Sequence, residues 1–182
     1  NIAIFTAGKT QERVDLGFNF VGPVFTRQHT LYKKKGATFS VDNINDILNQ
    51  NLIVGCLRSD WRSVYFKKEG VTVDEVNAQV QNIKKLIAGR IDLWALSDIE
   101  APSVAAKAGY TMDDIEPVYV YRVASSYIML SEGTPKSTIN EWRNALDYLD
   151  NKGFFKEVTE KWSSILGMDL AYLRDKGIFI KE

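Results

Sequence analysis

The fold of this chain is decided by two short segments: KTQER at residues 9–13, which runs on to FNFVGP at residues 18–23, and LIAGRIDLWA at residues 86–95. In the first segment, Thr10 can cap a short helical turn that carries Arg13. The second segment joins the end of an amphipathic helix, closed by Gly89, to an apolar strand. Each segment is a weak signal alone, and the pattern gains its weight from their order along the chain.

Around these segments, predicted strands and helices alternate. Strands are predicted over residues 2–5, 24–34, 52–57, 91–96 and 119–130, with a further short one at 71–73. Helices are predicted over residues 60–68, 75–88, 98–109 and 154–166, with others after Asp42, after Pro135 and at 168–177. Helical spacing also places four aromatic side chains in the core, those of Trp142, Phe154, Phe155 and Trp162. The alternation indicates an α/β fold with a parallel sheet.

Composition limits the classes of function. The 182 residues are enough for one large domain or two small lobes. The 23 basic residues equal the 23 acidic ones, so the charge does not favour nucleic acid or an anionic membrane as partner. A single histidine excludes a multi-histidine metal site, and no cofactor is predicted. The one cysteine, Cys56, excludes an internal disulfide and is predicted to be a small buried side chain. No apolar run approaches the roughly 20 residues of a transmembrane helix.

The two segments, the long strand after the first of them, and the Gly-Phe-Phe at residues 153–155 resemble the extracellular solute-binding proteins of family 3. The resemblance extends over roughly residues 2 to 166 and implies a two-lobed fold, that of the type 2 periplasmic binding proteins. Two strands would cross a hinge, with lobe one at residues 1–26 and 121–182 and lobe two at residues 27–120. It also implies that the N-terminal strand-helix-strand unit of the family is absent here, which would leave part of the sheet of lobe one exposed.

The resemblance implies a receptor and not an enzyme. Such a receptor closes its two lobes on a small polar ligand, an amino acid or a related small carboxylate, and delivers it to the membrane subunits of an ABC-type transporter. It would act in the periplasm or outside the cell, free or tethered to a membrane. Two alternatives stay open. One is the ligand-sensing domain of a signalling receptor. The other is an enzyme similar to the cyclohexadienyl dehydratases, with Asp60, Asp98 or His29 as candidate acid or base.

In lobe one the resemblance implies that Arg13 binds the ligand carboxylate. A guanidinium presents paired donors in a planar fork that matches a carboxylate. The alternative is a surface arginine paired with Glu12 or Asp15. Thr6 and Gly8 match the loop that supplies hydroxyl and backbone contacts. Because relatives often carry serine or threonine at the position of Gly8, one hydroxyl is missing, and the glycine is expected to serve a turn.

In lobe two the resemblance implies ligand contacts from four consecutive residues, Arg58, Ser59, Asp60 and Trp61, at a strand-to-helix junction. Free amides at a helix start suit an anion. Asp60 would repel a carboxylate unless it points away or pairs with Arg58 or Arg62, and it can equally stabilise its own helix, whose cap is Ser59 or Asp60. Trp61 either stacks on the ligand or packs against the protein.

The last candidate position follows the motif GRID at residues 89–92. In amino-acid binders of the family, an aspartate five residues after the Asp of this motif receives the ligand ammonium. In this chain that place falls on Ser97, and Asp98 stands one residue later. With a one-residue shift Asp98 would bind the ammonium group; otherwise Asp98 caps the helix that begins at Ile99.

Overall fold

The structure, a computed structural model, describes residues 4–181, so the first two residues of the strand predicted at 2–5 lie outside the described part. The strands are β1 Ile4–Gly8, β2 Asn19–Lys34, β3 Val54–Leu57, β4 Val73–Val76, β5 Leu93–Ser97, β6 Ile115–Leu130, β7 Leu170–Leu173 and β8 Gly177–Ile180. The helices are α1 Gln11–Asp15, α2 Ile44–Asn49, α3 Trp61–Lys68, α4 Gln79–Ile87, α5 Ala101–Ala108, α6 Lys136–Asn151 and α7 Phe154–Leu166. The predicted α/β class is confirmed, but the sheet is mixed and not parallel as predicted, since β1 pairs antiparallel with β6 and β2 antiparallel with β5.

The chain divides into two compact units. The first unit comprises the residues up to Arg27 together with those from Ala124 onward, and the second unit is Gln28–Val123. Both boundaries between the units fall inside long strands. The boundary after Arg27 lies in β2 and the boundary before Ala124 lies in β6, and each of these strands has 16 residues.

The second unit is built on a sheet that is covered on both faces. Strand β3 pairs in parallel with β4 and with β5, and β5 pairs antiparallel with the end of β2, where His29 lies opposite Ser97. Leu31 and Leu93 belong to one apolar cluster, whereas their neighbours Tyr32 and Trp94 belong to another. Because successive residues of a strand point to opposite faces, the two clusters lie on opposite sides of the sheet. This burial explains why these strands are apolar almost without interruption.

The first unit has a smaller buried core. Strand β1 pairs antiparallel with the end of β6, from Ile4 opposite Leu130 to Gly8 opposite Ser126. Val21, Leu130 and Ile139 form the buried cluster, to which Ile128 and Leu146 add partly buried side chains. In the described part of the chain β1 is an edge strand, and its first two side chains are more than 40% exposed.

The helix predicted at residues 168–177 is wrong, because this segment forms a β-hairpin. Strands β7 and β8 pair antiparallel, with Leu170 opposite Ile180, and β8 joins β2 where Ile178 lies opposite Phe25. Gly177 makes this approach possible, since a Cβ there would overlap the backbone of Val24 and Phe25. The pairing with β2 involves residues far earlier in the chain, so the local apolar pattern could not reveal it.

Two other predicted boundaries also need correction. The helix predicted at 75–88 begins at Gln79, because Glu75 and Val76 extend strand β4, where Val76 pairs with Leu57. Val76 fits helical spacing with Val80, but the backbone of β3 offers it a strand partner. The cap of α2 is Asn43 and not Asp42, since the Asn43 side chain accepts the amides of residues 45 and 46.

The aromatic residues predicted to lie in the core are mostly exposed. Of the four, only Phe155 is buried, stacked on Tyr172 at a centroid distance of 4.5 Å. Trp142, Phe154 and Trp162 are 36%, 42% and 45% exposed. Helical spacing places side chains on a common face, but it does not provide a second surface to cover that face.

We expect Gly55→Ala to lower the free energy of unfolding by about 1–3 kcal/mol, the usual cost of overpacking a core. A Cβ at Gly55 would overlap Ile91 Cδ1 and lie 2.8 Å from Asn82 Oδ1, and both neighbours are buried. Urea unfolding followed by tryptophan fluorescence measures the change. Gly8→Ala is the control, because its Cβ would have 3.9 Å to the nearest atoms. Equal stability of both variants and the parent would contradict the packing described here.

Candidate functional site

Arg13 is held against the end of β1. The Thr10 hydroxyl accepts the Arg13 amide at 3.3 Å, which caps α1 as predicted, and Arg13 Nη1 donates to the Gly8 carbonyl at 2.6 Å. Asp15 instead accepts a hydrogen bond from Gln11 at 2.8 Å. Among the described residues Arg13 forms no ion pair with Glu12 or Asp15, so the pairing alternative finds no support. The guanidinium is thus half-buried and fixed at one nitrogen, and no carboxylate within residues 4–181 pairs with it.

Thr6 and Gly8 lie in β1 itself. Thr6 is exposed and opposite Ile128, and Gly8 is half-buried and opposite Ser126. Gly8 does not have the positive φ of a turn glycine, and a Cβ would stand 3.9 Å from Arg13 Nη1 and from the Ser125 carbonyl. The expectation that this glycine serves a turn is therefore wrong. A side chain such as serine fits at this position beside the arginine.

Asp60 occupies the start of α3. It is the N-cap: Oδ1 accepts the Arg62 amide at 2.8 Å, and Oδ2 accepts Arg62 Nη1 at 2.9 Å. Of the pairings considered from the sequence, that with Arg62 is the one formed. The carboxylate of Asp60 therefore accepts one of the amides that the first turn of α3 leaves without an intrahelical partner.

Arg62 joins three further residues into one buried network. Its Nη2 lies 3.0 Å from Glu100 Oε2 and 3.4 Å from His29 Nδ1, and its side chain is only 7% exposed. Ser97, which is fully buried, donates its hydroxyl to Glu100 Oε2 at 2.5 Å. A guanidinium can only donate hydrogen bonds, so Nδ1 is the acceptor in the contact with His29. Two carboxylates share one arginine here.

Asp98 does not cap the helix that follows it. Its amide donates to the Gln28 carbonyl at 2.9 Å, and its Oδ1 accepts the Ile99 amide at 2.8 Å. Helix α5 begins at Ala101, with Glu100 in the N-cap place and no side-chain capping bond. The capping role considered from the sequence is therefore wrong, and Asp98 is half-buried in the loop after β5.

Trp61 stands between cations and aromatic rings. The guanidinium carbons of Arg122 and Arg62 lie 4.9 Å and 5.3 Å from its ring centroid, and His29 meets it edge-on at 4.8 Å. Tyr121 lies 6.3 Å away, and 37% of Trp61 is exposed. Burial raises the pKa of Tyr121 while the charge of Arg62 opposes the shift, so its hydroxyl stays protonated. Trp61 both packs on the protein and leaves aromatic surface accessible.

Sequence analysis missed several members of this arrangement. Arg62, Glu100, Tyr121 and Arg122 were not placed in the site, and His29 was considered only as a catalytic group. A signal existed for two of them: Arg62 stands two residues after Asp60, and Glu100 three residues after Ser97, so both lie beside predicted site positions. Tyr121 and Arg122 carry no local motif. Ser59 is exposed with a φ of 59°, and Arg58 lines a separate groove with Lys84 and Arg90.

No group of three or more potential ligands among residues 4–181 is arranged to hold a metal ion. Cys56 is fully buried, as predicted, and burial raises the pKa of its thiol to about 12, so it is a neutral packing group. Within the same range no helix combines the length and the apolar character that crossing a membrane requires.

Solved structures share this architecture. A mutant of the arginine-binding protein ArgBP from T. maritima superposes with a TM-score of 0.66 at 19% identity, over 87% of this chain and 66% of its own. The chain has the type 2 periplasmic-binding-protein fold. A histidine kinase sensor domain with similarity to periplasmic binding proteins matches at a TM-score of 0.66 and 13% identity, over 86% of this chain and 67% of its own. The GluR0 ligand-binding core from Nostoc punctiforme, in complex with L-glutamate, matches at a TM-score of 0.65 and 22% identity, over 85% of this chain and 69% of its own.

The fold expected from the resemblance is thereby confirmed. This type 2 periplasmic-binding-protein chain spans 66% of the length of ArgBP, so about a third of that protein has no counterpart in it. Neither a family model nor a curated protein matched the sequence.

We expect Arg62→Ala to lower the free energy of unfolding by about 2–3 kcal/mol, because the Asp60 and Glu100 carboxylates lose their shared cation. This lies below the ~3–5 kcal/mol of a fully buried pair, since the Glu100 side chain is 43% exposed. Chemical unfolding measures the difference. Arg90→Ala, an exposed arginine of the same unit, should shift stability by no more than about 0.5 kcal/mol. Equal effects of the two variants would disprove a structural role for the network.

Proposed function

We propose that this chain is the binding part of a receptor that closes its two lobes on a small polar ligand, an amino acid or a related small carboxylate. The observation that carries the proposal is Arg13, whose guanidinium is fixed to the Gly8 carbonyl at 2.6 Å and has no carboxylate partner among the described residues. Such a group is prepared to receive a carboxylate from outside the chain. The fold supports this assignment, since neighbours carry names that specify arginine and glutamate as ligands.

The residues of the proposed site are those predicted from the sequence, namely Thr6, Gly8, Arg13, Arg58, Ser59, Asp60, Trp61, Ser97 and Asp98. Their roles differ. Asp60 accepts a hydrogen bond from Arg62 and Ser97 donates one to Glu100, so these two residues position the Arg62–Glu100 pair. The ring of Trp61 is instead partly accessible. Asp98 supplies a half-buried carboxylate suited to a ligand ammonium. Closure follows when contacts from both lobes favour the shut state over the open one.

In the cell we propose that the receptor serves an ABC-type transporter, whose membrane subunits recognise the closed state, in the periplasm or at the outer surface, free or tethered. Binding is favoured over catalysis because Asp60 and His29, two of three candidate acids or bases, are in contact with the buried Arg62. A second role has a specific observation in its favour. A histidine kinase sensor domain matches as well as ArgBP does, with a TM-score of 0.66 for both, which supports a ligand-sensing domain.

The sequence of the complete gene separates these two roles. A transmembrane segment followed by a kinase domain in the same reading frame would establish the sensor. Neighbouring genes for transporter membrane subunits, together with ligand uptake that is lost on deleting this gene, would establish the transport receptor.

We expect Arg13→Ala to abolish detectable ligand binding while the protein stays folded, since removing a desolvated charge partner costs about 2–5 kcal/mol, or roughly thirtyfold or more in affinity. A thermal-shift screen with amino acids, small carboxylates and polyamines selects the ligand, and isothermal titration measures its affinity. Arg143→Ala is the matched control, an exposed arginine on α6. Undiminished affinity in folded Arg13→Ala would remove this residue from the site.

We expect Asp98→Asn to weaken binding of an amine-bearing ligand by more than about tenfold, through loss of a charge partner for the ammonium group. Stability should hardly change, because the asparagine oxygen can still accept the Ile99 amide and no helix cap is lost. Titration with an amino acid and with its deaminated analogue separates the ammonium contribution. Asp113→Asn, an exposed acid of the same unit, is the control. If affinity is retained while the melting temperature falls, Asp98 is structural.

A further inference from the structure

A second concave surface lies in the second unit, along helix α4 and the end of strand β4. This groove has a volume of about 560 Å³, within the range of ~300–1,000 Å³ typical of small-molecule sites. Four cationic side chains line it, those of Arg58, Lys84, Lys85 and Arg90, and one acidic side chain, that of Glu75. The chain as a whole carries equal numbers of acidic and basic residues, so this excess does not follow from composition.

The ion pairs of the groove leave most of its positive charge uncompensated. Lys85 pairs with Asp74 at 2.6 Å, and Glu75 pairs with Lys67 at 3.0 Å. The hydrogen bond from Ser63, followed by that from Lys67, lowers the pKa of Glu75, so this carboxylate stays ionised and engaged. The remaining three lining cations form no ion pair among the described residues: Arg58, Lys84 and Arg90.

The helix dipole explains only part of this cluster. Lys84 and Lys85 stand in the last turn of α4, where positive charge is favourable. Arg58 instead follows strand β3, and Arg90 follows Gly89, whose φ of 68° ends the helix. Three elements therefore bring like charges to one concavity, where their repulsion is relieved by a bound anion.

We propose that this groove binds a small anion of the diphosphate class. Guanidinium groups bind phosphate oxygens in pairs, and a lysine ammonium adds a point charge. The three cations without an ion pair carry more positive charge than one phosphate group neutralises, and this charge matches that of two linked phosphate groups. Gln81 also lines the groove, and its Oε1 already accepts the amides of Asn77 and Ala78 at 3.2 Å, which leaves its NH₂ group as the donor.

The groove differs from the proposed amino-acid site. Arg13, Trp61 and Asp98 do not line it, whereas Arg58 does. Within this proposal Arg58 therefore serves the groove, and the chain binds two chemically different ligands.

Isothermal titration with pyrophosphate, orthophosphate and acetate at matched ionic strength tests the proposal. We expect saturable binding of one pyrophosphate, at least about tenfold tighter than orthophosphate, and no saturable binding of acetate. The double variant Lys84→Gln/Arg90→Gln should weaken pyrophosphate binding by at least about tenfold. Lys107→Gln, an exposed lysine on α5, is the matched control, and Arg13→Ala should also bind pyrophosphate as the parent does. Circular dichroism confirms that each variant is folded.

Three results would overturn the assignment. The first is no saturable binding of pyrophosphate by the parent protein. The second is unchanged affinity in the folded double variant, or an equal loss in Lys107→Gln, which would indicate only general charge attraction. The third is tighter binding of an oligoglutamate peptide than of pyrophosphate with the same dependence on Lys84 and Arg90, which would make the groove a contact for an acidic protein. Failure of the amino-acid proposal would instead appear in the Arg13 and Asp98 variants and leave these titrations unaffected.

Discussion

The position of strand β5 between β2 and β3 is the constraint on which the second unit depends. All five residues of this strand are buried, and its neighbours pair with it from both sides, antiparallel on one and parallel on the other. Burial on both faces favours apolar residues along β5, whose one polar residue, Ser97, is the last of the strand. The candidate site lies at these strand ends: Asp98 follows Ser97, Ser59 and Asp60 follow β3, and Trp61 begins α3. Their placement is therefore as rigid as the sheet that carries them.

At these strand ends the charged side chains form an internal network. Asp60 caps α3, Arg62 pairs with both Asp60 and Glu100, and Glu100 holds the hydroxyl of Ser97. Both Nη atoms of the buried Arg62 are thus paired with carboxylates, which offsets the cost of placing a charge in a low-dielectric interior, whereas its Nε has no hydrogen-bond partner. The ring of Trp61, with Arg122 over it, stays partly accessible beside this network.

The first unit differs from the second in how much apolar surface it exposes. Phe5, Trp162 and Ile165 are 47%, 45% and 59% exposed, and β1 is an edge strand in the described part of the chain. The sheet of the second unit is covered by helices on both faces, whereas the helices of the first unit leave aromatic side chains exposed.

Local features were determined by the sequence alone. Helix α7 was predicted at its observed bounds because Gly153 and Gly167, both with positive φ, flank it, and the Thr10 cap and the buried Cys56 were also predicted correctly. Only the tertiary structure decided that residues 170–180 form a hairpin on β2, that Val76 belongs to a strand, and that Arg62 meets Glu100 across 38 positions. Caps and helix ends are fixed by hydrogen bonds within about four residues, so their signals lie side by side in the chain. Strand partners, ion pairs and the covering of an apolar face depend on groups that folding brings together from distant positions, and no local pattern contains them.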